Sequence, residues 1–179
     1  GPDAFYRSDM TDKIVAASTA GGGIFTRADF EDYKVRFLKP VTCSYRGLDI
    51  VSAAPPSSGG IALCEILNIL EGYPVGYLGW NSADMVALLT EASRHAFLDR
   101  NSALGDPDFV KNPVERLTSK AYAAKIRAVI NRDRATPSAE LKPGTAPHEG
   151  TETTHFSVVD KSGNAVAVTY SLNSYFGAK

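Results

Sequence analysis

The sequence feature that most constrains this chain of 179 residues is a sudden change in composition between residues 134 and 150. This stretch holds three prolines (Pro137, Pro143 and Pro147) and two glycines, with almost no large apolar side chain. Such a segment buries too little apolar surface to offset the entropy that is lost when it is ordered. We therefore predict an exposed, mobile linker that divides the chain.

A β-hairpin is predicted directly after the linker. Phe156 to Asp160 and Ala165 to Leu172 alternate in polarity and are rich in strand-forming residues, and Lys161 to Asn164 has the composition of a turn. The segment from Glu152 to His155 joins the linker to the first strand. A threonine, Thr153, therefore stands where a chain that bends easily enters a rigid strand.

This threonine has two interpretations. The ordinary one is that Thr153 caps the strand or takes part in its hydrogen bonds. The chemical one is that its Oγ attacks the carbonyl of Glu152, and water hydrolyses the resulting ester. The α-amine freed by this cleavage has an ordinary pKa of about 8, so a neutral fraction accepts the proton of the residue's own hydroxyl. The β-methyl group restricts χ1 and helps to hold that hydroxyl in one rotamer.

Most of the first 130 residues have helical patterns. Ser8 and Ser82 stand where N-caps are expected, and Gly21 to Gly23 end the first helix because glycine accepts the left-handed conformation of a helix C-terminus. The predicted helices are, in chain order, Ser8 to Ala20, Thr26 to about Tyr33, one opened by residues 55–60, Ser82 to about Leu104, and a region from Pro113 that continues over Ala121 to Ile130.

Two glycine-containing segments predict turns. Pro40 to Tyr45 and Leu48 to Ala53 are rich in β-branched and alternating residues, and Arg46-Gly47 between them predicts an early hairpin. The run from Pro55 to Gly60 precedes a helix, as a phosphate-binding loop would. It has neither the spacing nor the lysine of a Walker loop, so we interpret it as a tight turn that leads into a buried helix.

Two helices have predicted core-facing stripes. The stripe of the helix after Gly60 consists of Ile61, Ile66, Leu67, Ile69 and Leu70. That of the helix after Ser82 consists of Met85, Leu88, Leu89, Ala92, Ala96 and Phe97. His95 lies near the second stripe and is interpreted as a structural histidine, since neither an acid nor a nucleophile accompanies it locally. Cys43 and Cys64 lack metal-ligand spacing; two buried free thiols are expected, with a disulfide as the alternative.

Composition excludes several classes of function. The net charge is −1, the charges of both signs are mixed, and no basic stripe indicates nucleic-acid binding. The apolar stretches are broken well before the roughly 18 residues of a membrane span, and no signal peptide is visible. We expect a soluble globular protein with no metal site and no cofactor.

The ordered motifs of the chain closely resemble those of γ-glutamyltransferases. The start of the small subunit is matched by Thr153 to Asp160, Gly163 to Val166, Thr169 to Asn173, and Phe176-Gly177. Upstream matches are Gly21-Gly22-Gly23 to Asp29, Tyr33, Pro55 to Gly60, Glu91-Ala92, Asp99-Arg100, and Leu104 to Pro107. The resemblance covers essentially the whole chain.

This resemblance implies a fold and a domain organisation. In the family, one precursor cuts itself into a large and a small subunit that stay together in an αββα sandwich, so the implied class is α+β. Residues 1–133 would form a helix-rich portion of the large subunit, residues 134–152 the flexible linker that ends at the processing site, and residues 153–179 the start of the small subunit with its core hairpin.

The resemblance also implies an activity. The new N-terminal threonine, Thr153, would attack the γ-amide of glutathione or another γ-glutamyl donor and pass the acyl group to water, an amino acid or a peptide. Ser171 matches a hydroxyl residue that hydrogen-bonds the nucleophile and supports processing, and Asn173 matches an asparagine that contacts the donor's α-amino or α-carboxyl end. Glu152 departs from the uncharged amide residue that is common before the cut, so slower cleavage is the most that we expect.

Other parts of the implied site are expected outside residues 1–179. They are a later acidic residue, paired serines, a glycine pair that forms the oxyanion hole, and an arginine that clamps the donor. Losing an oxyanion donor costs roughly 10²–10³ in rate, so this segment alone is expected to be nearly inactive. The implied location is periplasmic or extracellular. A cephalosporin or glutaryl-type acylase of the same fold and a non-catalytic binding domain are the alternatives.

Overall fold

The computed structural model describes residues 1–137, 140–141 and 154–170, with only the backbone at Thr154 and Tyr170. The chain divides into two compact units. The first contains residues 1–37 together with the C-terminal hairpin, and the second contains residues 38–147 as far as they are described.

Three helices begin the first unit: α1 (Asp3–Tyr6), α2 (Asp9–Ala20) and α3 (Arg27–Glu31). Ser8 caps α2 and Thr26 caps α3, each in a reciprocal capping box, which confirms both predicted starts. Helix α3 ends at Glu31 rather than near Tyr33. After α2 the chain turns at Gly22, whose φ of 81° explains why glycine is needed there.

The hairpin of the first unit consists of β3 (Thr154–Val159) and β4 (Ala165–Tyr170), paired antiparallel. The predicted hairpin is confirmed, but its first strand begins at Thr154 rather than Phe156 and ends before Asp160. Leu172, the predicted end of the second strand, lies outside the described residues. Asp160 fixes the connecting turn, because its carboxylate accepts hydrogen bonds from the backbone N–H groups of Ser162 and Asn164 and from the Asn164 amide.

The second unit begins with the predicted early hairpin. Its strands are β1 (Val41–Tyr45) and β2 (Leu48–Ser52), with Val41 opposite Ser52 and Tyr45 opposite Leu48. Arg46 and Gly47 have φ values of 50° and 81°, the pair of positive angles that a type I′ hairpin turn requires.

The helices of the second unit are α4 (Gly59–Glu71), α5 (Ala83–Ala103), α6 (Val114–Leu117) and α7 (Lys120–Arg127), and a 3₁₀ turn covers Val75–Tyr77. Helix α4 packs against β1, β2, α5, α6 and α7, so it is the centre of this unit. At Gly60 a Cβ would lie 2.4 Å from the Ala53 carbonyl oxygen, so only glycine allows α4 to begin this close to β2. The Pro55–Gly60 run thus leads into a buried helix, as predicted.

The core differs in part from the predicted stripes. The buried apolar residues of the helices are Ile61, Ala62, Cys64, Ile69, Leu70, Leu88, Ala92, Ala96, Leu117, Ala123 and Ile126. Leu89 and Phe97 are 43% and 46% exposed, so their assignment to the core of α5 was wrong. The buried apolar face of α5 is the narrow row of Leu88, Ala92 and Ala96, which leaves the edges of the predicted stripe facing outward.

The prediction of free thiols was also wrong. Cys43 of β1 and Cys64 of α4 form a disulfide, with Cα atoms 6.0 Å apart. The two residues are 21 positions apart in sequence, and only the packing of α4 on the hairpin brings them together. Within the described part of the chain, none of the helices has both the length and the apolar content needed to cross a bilayer.

Candidate active site

The residues predicted to carry out the chemistry are next in sequence to the open end of the C-terminal hairpin. The four predicted site residues, Glu152, Thr153, Ser171 and Asn173, lie outside the described residues. The structure does describe the ladder that leads to them, whose last pair joins Thr154 to Tyr170. These two residues are the immediate sequence neighbours of Thr153 and Ser171.

A polar cluster lies on the hairpin beside this end. His155 Nδ1 lies 2.8 Å from Thr169 Oγ1 on the facing strand, and His155 Nε2 lies 3.2 Å from Ser157 Oγ. A neutral imidazole has one donor and one acceptor nitrogen, and hydroxyl groups are able to satisfy both. The ring is therefore held at both ends, which fixes its orientation on the strand.

The other end of the hairpin is held by Asp160. The hydrogen bonds that its carboxylate accepts from the Asn164 side chain and backbone hold the pKa of Asp160 below its ordinary value. Gly163 has a φ of 82°, which the turn requires and glycine adopts readily. This closed turn keeps the register of β3 and β4 fixed up to the Thr154–Tyr170 pair.

A second polar cluster holds the beginning of the predicted linker. We call it the Glu91 clasp; it consists of Glu91 and Arg94 of α5 and Thr136. The Glu91 carboxylate accepts bonds from the Thr136 N–H at 3.0 Å and the Thr136 hydroxyl at 2.7 Å. Arg94 Nη1 donates to Glu91 Oε1 at 3.1 Å and to the Thr136 carbonyl at 2.5 Å.

The carboxylate of the Glu91 clasp is buried, so its hydrogen bonds determine its charge state. Glu91 is only 4% exposed. Burial alone would raise the pKa of Glu91, but the two bonds from Thr136, together with the charges of Arg94 and His95, hold that pKa below its ordinary value. The chain is thus attached to α5 as far as Thr136, and residues 142–153 lie outside the described ones.

A cavity of about 150 Å³ lies beside the clasp, between α5 and residues 130–135. Its lining is a mixture of apolar side chains, such as Leu88 and Ile130, and charged ones, such as Asp84 and Arg132. Among the described residues, no group of three or more His, Cys, Asp or Glu side chains could hold a metal ion.

Sequence reasoning assigned no role to His155, Glu91 or Thr136. For His155 a signal existed, because its spacing of two from Ser157 places both side chains on one face of a strand. For the clasp no local signal existed, since Thr136 is 45 residues from Glu91 and stands in a segment of linker composition. His95, interpreted as structural, is half-buried on α5, with no hydrogen-bond partner for Nε2 in the described part of the molecule.

Comparison with known proteins decides the family. The family model described as "Gamma-glutamyltranspeptidase" matches residues 1–179, which is the whole chain. The chain belongs to the gamma-glutamyltranspeptidase family. Its α+β class and its place in the N-terminal-nucleophile hydrolase fold of that family are thereby confirmed.

Individual relatives support the same assignment. The chain is 62% identical over 179 residues to a glutathione hydrolase proenzyme from Pseudomonas sp. (strain A14), covering 100% of the chain and 31% of that relative. It is 43% identical over 178 residues to the acylase ACY 1 proenzyme of Pseudomonas sp. (strain SE83), covering 99% of the chain and 31% of that relative. The chain therefore spans about a third of the length of these curated relatives.

A solved structure shows the same fold. The gamma-glutamyltranspeptidase of Helicobacter pylori superposes with a TM-score of 0.77 at 42% sequence identity. The match covers 84% of this chain and 44% of that one. The matched part of the chain therefore has the fold of a part of that protein.

Proposed function

We propose that this chain is a segment of an autoprocessing γ-glutamyltransferase and glutathione hydrolase whose nucleophile is Thr153. The observation that carries the proposal is the position of Thr153 directly before the β3–β4 hairpin, within a chain that matches the family over its whole length. The 62% identity to a glutathione hydrolase proenzyme supports glutathione and related γ-glutamyl compounds as donors. The division into residues 1–133, 134–152 and 153–179 is part of the same proposal.

The described ladder supports a shared site for Thr153 and Ser171. Thr154 is paired with Tyr170, and paired Cα atoms of an antiparallel ladder are about 5 Å apart. Thr153 and Ser171 are the sequence neighbours of this last described pair, and Asn173 comes two residues after Ser171.

The proposed reaction begins with cleavage of the precursor. Thr153 Oγ attacks the Glu152 carbonyl, the C–N bond breaks, and the resulting ester is hydrolysed by water. The new α-amine of Thr153 is then the proton acceptor for its own hydroxyl. It lies on the same residue as the nucleophile, so the reaction needs no separate base at that step.

Transfer follows the same chemistry on the donor. Thr153 Oγ attacks the γ-carbonyl, its proton passes to the α-amine, and the departing amine takes that proton as the amide bond breaks. Water, or the amine of an amino acid or peptide, then attacks the γ-glutamyl ester and restores the hydroxyl. Ser171 orients the Thr153 hydroxyl and Asn173 binds the donor's α-carbon groups. This chemistry uses no cofactor.

The remaining parts of both subunits are the proposed protein partners. The chain spans 31% of its glutathione hydrolase relative, and the groups that bind the donor and stabilise the oxyanion are proposed to lie in the other two thirds. Without oxyanion donors the rate falls by about 10²–10³. We therefore propose that residues 1–179 alone have almost no turnover.

We also propose a periplasmic or extracellular location. The support is the Cys43–Cys64 disulfide, because disulfides persist mainly in oxidising compartments.

Turnover of a γ-glutamyl anilide by the complete precursor tests the proposal. We expect Thr153→Ala to abolish the release of the aniline, because both the nucleophile and the free α-amine are lost. Thr154→Ala is the matched control, since it removes the neighbouring hydroxyl, and it is expected to retain turnover. Turnover that survives Thr153→Ala would contradict the proposal, and γ-glutamyl binding without any turnover would favour the non-catalytic alternative.

A glutaryl acylase of the same fold is the second candidate. The observation in its favour is the 43% identity to the acylase ACY 1 proenzyme. A γ-glutamyl donor carries an α-amino group that a glutaryl group lacks. The ratio of kcat/KM for a γ-glutamyl anilide to that for the matched glutaryl anilide therefore distinguishes the two, and we expect it to exceed one.

A further inference from the structure

Two acidic side chains meet inside the helical part of the second unit. Glu65 of α4 is 1% exposed, and its carboxyl group lies against that of Asp99 on α5. The Tyr122 hydroxyl of α7 donates to Asp99 Oδ2 at 2.6 Å. Among the residues that the structure describes, Glu65 Oε1 has no hydrogen-bond partner. Three helices are thus connected through one pair of carboxyl groups.

Two carboxylates in contact cannot both be ionised at low cost. Burial disfavours the charged form of Glu65, and the negative charge of Asp99 disfavours it further. A hydrogen bond between two carboxyl groups also needs a proton, because an ionised carboxylate is only an acceptor. Asp99 already accepts from Tyr122, so Glu65 is the group placed to hold the proton and donate it.

The charged groups around the pair do not remove this requirement. Arg116 of α6 lies over the Tyr122 ring, 4.8 Å from its centroid. Its positive charge lowers the pKa of Glu65, but this effect is smaller than those of burial and Asp99, which raise it. His95 faces Asp99 from one turn earlier on α5, but its own pKa is lowered by burial. Burial, followed by the effect of Asp99, raises the pKa of Glu65 to about 8.

We propose that Glu65 keeps its proton at neutral pH and donates it to Asp99, which ties α4 to α5 and α7 and makes the stability of the second unit's helices depend on pH. The unfolded chain would release this proton near the ordinary pKa of a glutamate, whereas the folded chain keeps it. A group with a raised folded pKa stabilises the fold fully below its unfolded pKa and loses that contribution as pH rises through the folded value. The sensitive window therefore extends from about pH 4.5 to about pH 8.

Hydrogen exchange of the complete precursor, resolved by mass spectrometry to peptides of α4 and α7, measures the effect. After correction for intrinsic exchange rates, we expect the opening constant of these helices to rise with pH by up to about tenfold per unit between pH 5.5 and 8. Glu65→Gln keeps a donor to Asp99 but carries no titrating proton, so this rise should disappear. The titration of His95 changes stability in the opposite direction in both proteins. The difference between the opening constants of the wild type and Glu65→Gln therefore isolates the effect of Glu65.

Glu71→Gln is the matched control. Glu71 is on the same helix, and bonds from the Arg46 N–H and Lys120 hold its pKa below the ordinary value. It is already ionised across the window, so its substitution should leave the pH dependence unchanged. An identical pH dependence in the wild type and in Glu65→Gln would overturn the proposal.

Infrared spectroscopy of the wild type provides a second test that does not depend on the folding of a variant. An ordinary glutamate or aspartate is fully ionised at pH 7. We expect a protonated-carboxyl band that persists at pH 7 and is lost on titration toward pH 9. The absence of any such band at pH 7 would overturn the proposal.

Discussion

At the scale of single residues, Glu91 shows how a buried carboxylate attaches a segment that the sequence describes as a linker. Its two oxygens accept hydrogen bonds from the N–H and the hydroxyl of Thr136, and Arg94 donates to both Glu91 and Thr136. A buried acceptor that loses its donor costs about 1–3 kcal/mol. The clasp therefore attaches this segment through groups that have no part in the proposed chemistry.

Thr136→Val tests this clasp. Valine keeps the shape and the backbone N–H of Thr136 but removes the hydroxyl that donates to Glu91. We expect limited proteolysis near residues 131–137 to become about tenfold faster, because a local cost of about 1.4 kcal/mol increases the open population tenfold. Thr136→Ser keeps the hydroxyl and is the control. Equal cleavage of the wild type and Thr136→Val would show that the hydroxyl does not hold the linker.

The clasp has little effect on the entropy of closing the segment that joins it to Thr154. Releasing it would move the last attached residue from Thr136 to about Ile130, so the tether to Thr154 would grow from 18 to 24 residues. The entropy of closing a loop rises with the logarithm of its length, so this change costs about 0.3 kcal/mol. Thr136→Val should therefore alter the rate of cleavage at Thr153 less than twofold.

At the scale of elements, the disulfide joins the early hairpin to the central helix α4. It closes a loop between residues 21 positions apart. On the chain-entropy account, such a crosslink stabilises the fold by about 3 kcal/mol. The link also lies beside buried residues of β1, α4 and α6, namely Val41, Ile61 and Leu117.

Cys43→Ala combined with Cys64→Ala measures this contribution. We expect the free energy of unfolding of the helical unit to fall by about 3 kcal/mol, seen as a lower urea midpoint. A reductant should lower the midpoint of the wild type in the same direction and leave the double variant unchanged. Equal midpoints for the oxidised wild type and the double variant would indicate that the crosslink contributes nothing.

The starts of the helices could be predicted because capping is local. Ser8, Thr26 and Ser82 each precede a helix, and their side chains accept hydrogen bonds from N–H groups of its first turn. A window of three or four adjacent residues contains this information. The turns at Gly22 and Gly47 are local for the same reason, since each needs a positive φ. The site hairpin was predictable from its alternation and its turn.

The polar interior could not be predicted in the same way. Glu65 is four residues after Ile61 and four before Ile69, so helical spacing placed it on the buried face, but a glutamate there is expected to be exposed. Its partner Asp99 is on another helix. The pairing of Cys43 with Cys64 and of Glu91 with Thr136 likewise depends on which elements pack together, and no local pattern contains that information.

At the scale of the whole molecule, the chain is about a third of the length of its curated relatives. Large apolar side chains of the site hairpin are exposed in it, including Phe156 at 51% and Val158 at 56%. A two-stranded ribbon of this kind is marginally stable by itself. We propose that in the complete precursor the remaining parts of the two subunits cover these strands and complete the site.

The position of backbone cleavage tests the central claim most directly. Intact-mass analysis and N-terminal sequencing of the complete precursor after incubation should find a fragment that begins at Thr153 and a partner that ends at Glu152. The Thr153→Ala precursor should remain a single chain under the same conditions. A wild-type precursor that stays uncut, or that is cut only at another bond, would contradict the account.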